Sequence, residues 1–102
     1  MRYVVNVGEM TLYLYVYDIK TDSWQKRKKW KLTHTEMKFI MALDTQHYTR
    51  FRDLALILYG TSEVVARNCL RLLKSRIVKK TGMNISTKYR VGYKSLNEVE
   101  IC

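Results

Sequence analysis

Between Val64 and Asn97 the chain carries nine Lys and Arg residues and no Asp or Glu. Within that stretch Arg67 and Arg71 stand four residues apart, which puts them on one side of a helix, and Asn68 lies beside them. A guanidinium pairs bidentately with the edge of guanine, and a carboxamide pairs with the edge of adenine. Arg67, Asn68 and Arg71 therefore suit the reading of base edges in a duplex groove. Lys74, Ser75 and Arg76 follow in the same segment, and Thr87, Lys88, Arg90 and Lys94 lie in the next. These side chains suit phosphate, whose contacts position a protein without specifying sequence. A run of charge often makes nothing more than a solvated face. Here the run is of one sign over the whole stretch, which favours a polyanionic partner.

Other chemistries lack their residues. His34 and His47 have no metal-ligand spacing, and His34 falls inside a helix-capping sequence. No Gly-rich phosphate loop, G-x-S-x-G or H-E-x-x-H is present. We expect no catalytic residue, metal or cofactor. Cys69 and Cys102 form no disulfide framework. Cys69 reads as a helix-packing residue, with a thiolate helped by Arg67 or Arg71 as the lesser reading.

Two further groups need a role. Lys26-Arg27-Lys28-Lys29-Trp30-Lys31 is a second basic cluster. In an alternating strand its charges divide between two faces, which suits a sheet edge protected by lysine, or flanking phosphate contact. Trp24 and Trp30 read as core or sheet-packing residues. Tyr13, Tyr15 and Tyr17 alternate along one face of a strand and suit a homodimer or partner contact, or a half-covered amphipathic face.

Elements must hold these residues in place. The chain has 102 residues, 47% hydrophobic, with a formal net charge of +10. That length fits one domain over 1–102, and its apolar content excludes a disordered tail. The longest apolar runs, Leu12–Tyr17 and Leu54–Tyr59, have six residues each. A membrane-spanning helix needs about 20, so no membrane partner is expected. The N-terminus lacks a signal-peptide pattern.

Residues 1–32 read as a small antiparallel sheet. Leu12, Leu14 and Val16 alternate with Thr11 and the tyrosines, and Asp18–Ser23 has turn composition. Three helices follow over 33–82. Thr33-His34-Thr35-Glu36 is a capping box, with Met37, Phe39, Ile40 and Leu43 as the buried stripe of the first helix. Arg52–Tyr59 forms the second, with Leu54, Ile57 and Leu58 inward and Gly60 as its C-cap. The third spans about 62–80, with Ala66, Leu70, Leu73 and Ile77 as a core stripe and Gly82 as its stop. Residues 83–97 read as a hairpin, strands within 85–96, with Lys88–Arg90 near its tip. Strands, three helices and a hairpin in this order make an α+β winged helix-turn-helix.

From Leu32 onward the chain resembles the C-terminal effector domain of OmpR/PhoB-type response regulators. Leu32-Thr33-His34-Thr35-Glu36 matches the opening Leu-Thr-x-x-Glu, followed by Phe39, Ile40 and Leu43. Arg52-Asp53-Leu54 with Tyr59-Gly60 matches the next segment. Leu73-Lys74-Ser75-Arg76 matches the basic end of the recognition helix, and Thr87, Gly92, Tyr93 and Lys94 match the wing. The match spans Leu32–Lys94. It implies double-stranded DNA as partner, the third helix in the major groove and the wing on the backbone or in the minor groove. Three sites depart from the pattern. Arg90 replaces the first wing glycine, Glu63-Val64-Val65 replaces an early arginine, and Arg67-Asn68-Cys69 replaces Asp-x-His. The contact chemistry is therefore this chain's own, and no receiver or phospho-acceptor aspartate is expected in it.

The expected function is sequence-specific DNA binding and transcription regulation, as a dimer on paired half-sites. The setting would be a bacterial cytoplasm or nucleoid, or a cell infected by phage or carrying a mobile element. The alternative is an interaction module that contacts RNA polymerase or another regulator through the tyrosines or through Val64, Val65 and Leu72. A non-specific nucleoid or double-stranded RNA binder is a third class.

Overall fold

The computed structural model describes Met1–Cys102. Strands β1 (Arg2–Asn6), β2 (Thr11–Asp18) and β3 (Ser23–Lys31) form the expected antiparallel meander. Tyr3, Val5 and Leu12 point to one face and are buried. The last strand of the chain, β7 (Val99–Ile101), joins this sheet parallel to β1, giving the order β3-β2-β1-β7. The N-terminal sheet is therefore completed from the C-terminus, which the division at residue 32 did not anticipate.

Helix α1 (His34–Ala42) starts at the capping box. Glu36 N–H donates to Thr33 Oγ1 (3.1 Å), and Thr33 N–H donates to Glu36 Oε1 (2.8 Å). Met37, Phe39 and Ile40 are buried, each such side chain contributing about 1.5–3 kcal/mol. Glu36 is itself only 1% exposed, and Lys80 Nζ lies 3.1 Å from its carboxylate. Lys80 also donates to the Lys31 carbonyl. A lysine that suits a helix C-terminus thus ties that terminus to α1 and the sheet.

Helix α2 (Phe51–Tyr59) buries Leu54 and Ala55 and ends at Gly60 in the left-handed conformation (φ 62°). Ile57, expected inward, is 51% exposed. Phe51, Leu54, Ala55 and Leu58 share the arc of the helix that meets the core, and Ile57 falls outside it. Helix α3 (Glu63–Thr81) is capped by Ser62 and stopped by Gly82. Ala66, Leu70, Leu73 and Ile77 form the predicted stripe, each at most 2% exposed. Tyr3 Oη donates to the Thr81 carbonyl (3.0 Å), so the end of α3 is bolted to β1.

The hairpin consists of β5 (Ile85–Lys88) and β6 (Gly92–Ser95). A two-residue strand unsignalled in the sequence, β4 (Thr49–Arg50), pairs with β6 to give the order β4-β6-β5. A Cβ on Gly92 would stand 1.8 Å from the Thr49 carbonyl oxygen, so this pairing admits only glycine. Tyr93 fixes the hairpin to the core, its ring edge-on to Phe39 (5.8 Å) and Phe51 (5.0 Å).

Candidate nucleic-acid interface

Core packing decides which side of α3 faces outward. Val64, Asn68, Arg71 and Ser75 each stand two positions before a core residue, so they lie about 160° round from the core stripe. All four are exposed. Arg67 and Lys74 are one position after core residues and turn toward the hairpin. Across from them, Thr87 shares the inner face of the hairpin with its register partner Tyr93. The two elements enclose a groove of about 680 Å³. Arg67, Arg71, Lys74, Thr87 and Arg90 line its walls, with Phe51, Leu70 and Tyr93 at its floor. Burial pushes the Tyr93 hydroxyl pKa up, and the Arg71 guanidinium beside it partly offsets this.

Of the nine cations between Val64 and Asn97, only Lys80 has a carboxylate partner. The others keep their donors free for an anion outside the chain.

The turn between β5 and β6 is made by Tyr89, Arg90 and Val91. Arg90 adopts φ 62°, the left-handed conformation that favours glycine. Its guanidinium lies 5.2 Å from the centre of the Tyr89 ring. Tyr89 is 80% exposed at the tip.

The sequence-predicted residues do not all converge. Arg67, Arg71, Lys74, Thr87 and Arg90 meet in the groove, and Asn68 and Ser75 lie on the adjoining outward face. Arg76 turns instead toward α2, where burial, with Cys69, pushes the Tyr59 hydroxyl pKa up and the Arg76 charge offsets this only in part. Lys88 and Lys94 lie on the other face of the hairpin, 5.8 Å and 4.8 Å from the centre of the Tyr48 ring. Tyr48 is held there by its hydroxyl contact with Ser86 Oγ (2.9 Å). Cys69, expected to pack, is exposed on the same flank as Arg76 because the core stripe passes 60° away from it.

The tyrosines lie on the outer face of the four-stranded sheet. Tyr13 and Tyr15 sit with ring centres 6.5 Å apart, and Lys26 Nζ covers Tyr13 at 4.3 Å. Tyr17 meets Trp24 edge-on, and Arg2 covers Trp24 at 4.7 Å. Trp30 takes the inner face and stacks with Tyr3.

Three further residues complete the candidate interface. Glu63 stands in the groove wall as its one acidic side chain. Its position four residues before Arg67 was visible in the sequence. Tyr89 was visible too, as the aromatic residue between Lys88 and Arg90. Phe51 carried no signal, because its role depends on the Tyr93 contact.

No protein-family model matches the chain, and no curated protein matches it. Among solved structures, the DNA-binding domain of Bacillus subtilis CssR is similar, with a TM-score of 0.55 and 18% sequence identity over 80% of this chain and 99% of that one. At that identity the likeness is one of fold, and it agrees with the element order, the three helices and the C-terminal hairpin: the chain is a winged helix.

Proposed function

We propose that the chain binds double-stranded DNA sequence-specifically and regulates transcription, with α3 in the major groove and the β5–β6 wing beside it. The observation that carries this reading is the groove itself. Arg67, Arg71, Lys74 and Arg90, from two elements far apart in sequence, converge on it with no carboxylate partner. The resemblance of Leu32–Lys94 to OmpR/PhoB-type effector domains supports the same reading. So does the DNA binding named for the CssR domain, whose fold this chain shares.

In this reading Arg71 and Asn68 face base edges, Arg67 serves both groove wall and bases, and Lys74 meets phosphate. Arg90 and Tyr89 enter or flank the minor groove. Lys88 and Lys94 contact the backbone only on the far side of the wing, and a dimer on paired half-sites brings two such groove-and-wing units to one operator.

Selection from random duplexes tests the reading: a sequence should be enriched over the starting pool. On the enriched site Arg71→Ala should weaken binding by about 1–3 kcal/mol, measured by fluorescence anisotropy. Binding without any enriched sequence would replace this reading with a non-specific one.

A further inference from the structure

The outward row of α3 contains one side chain that the base-reading set leaves unused. Val64 is 77% exposed. It stands in the first turn of a helix whose outward row is otherwise polar: Asn68, Arg71 and Ser75. That row repeats the core spacing two positions earlier, so Val64 protrudes from the face most remote from the core. Val65 and Leu72 are also exposed, at 69% and 59%, but they lie 60–100° round on the α2 flank and outside the row. The only lining around Val64 is a shallow depression shared with Leu56, Arg52 and the capping loop. It leaves the isopropyl group in water.

Among base edges in the major groove, the apolar group is the C5-methyl of thymine. An aliphatic side chain in line with Asn68 and Arg71 therefore has one matching ligand. We propose that Val64 is a specificity-determining residue that reads a thymine methyl, so that the half-site presents thymine to the start of α3. Val64 and Asn68 are about 6 Å apart along the helix axis. Base pairs rise by about 3.4 Å. The thymine therefore lies about two steps from the adenine that Asn68 reads, with the guanine of Arg71 beyond it. This inference rests on the duplex-DNA reading, since it names the bases that the same site takes.

Replacing thymine by uracil deletes the methyl and leaves the hydrogen-bonding edge intact, so the contact can be removed from either side. On a duplex selected with the unaltered chain, each thymine is changed to uracil in turn and affinity is measured. The expected result is a loss of about three- to tenfold at one or two neighbouring positions. With Val64→Ser or Val64→Ala the same positions should show no further loss. Both changes fall on an exposed site, and circular dichroism checks that α3 is kept. A uracil scan without effect, or one with the same losses in the Val64 variants, overturns the proposal while DNA binding stands. Failure of the unaltered chain to enrich any duplex overturns the underlying reading and the proposal together.

Discussion

Arg90 combines two demands at one position. In the proposed reading it is the wing-tip cation that meets phosphate or a minor groove, and its backbone is left-handed (φ 62°). That conformation costs a side-chain-bearing residue about 1–2 kcal/mol. Such strain is most often retained where function requires it. Arg90→Gly should raise unfolding stability by about 0.5–1 kcal/mol, the relief being reduced by glycine's freedom in the unfolded chain. The same change should weaken DNA binding. Denaturant titration and anisotropy on one sample check both signs, and a variant that gained stability without losing affinity would remove Arg90 from the interface. The sequence marks this site clearly, since arginine stands where the resembling domains have glycine. What it conceals is that the backbone keeps the glycine-like conformation. Likewise Arg67 and Asn68 are adjacent in sequence, but only the packing of Ala66 and Leu70 turns one toward the wing and the other outward.

At the scale of elements, α1 owes its start to a motif legible in four residues, Thr33 to Glu36. Its long-range anchor was not legible. Lys80, 44 residues away, reaches the buried Glu36 carboxylate only because α3 ends beside the sheet. Burial pushes the Glu36 carboxyl up, but the Thr33 backbone N–H and Lys80 more than offset this and hold it below the usual carboxylate range. The folded state therefore binds this proton less readily than the unfolded chain. Its stabilising contribution is complete above the unfolded value, near 4.5, and is lost as pH falls through the lower folded value. Thermal melts should show the midpoint falling across that acid window, and Glu36→Gln should flatten this part of the profile. Strands β4 and β7 escaped sequence reading for a different reason. Two or three residues are too few to show a period of two, and both exist only because partners lie alongside: β6 beside Thr49–Arg50, and β1 beside Val99–Ile101.

Over the whole molecule, charge and shape divide the work. The principal extents are 49 × 26 × 21 Å. The four-stranded sheet holds the C-terminal end of α3, while the groove is built on its N-terminal half and the wing. Contact with about five to eight phosphates would give a log–log slope of affinity against salt of roughly −5 to −7. Titration from low to physiological salt measures it, and a flat dependence would count against a polyanion in the groove. The tyrosine face carries both signs: Arg2 and Lys26 lie over its rings, Arg2 is paired with Glu100 (3.6 Å), and the Tyr13 hydroxyl donates to Glu9 (2.8 Å). The closing pair of the sheet bears on how its edge is protected. Tyr3 N–H donates to the Glu98 carbonyl, and Cys102 N–H to the Val5 carbonyl. The meander can form from residues 2–31 alone, but the outer edge of β1 stays bare until the distant β7 pairs with it. A variant cut after Asn97 would lose β7, keep the whole groove and yet display an open strand edge, a template for pairing with another chain. The short parallel strand thus keeps the molecule from pairing edge to edge, a task separate from the groove.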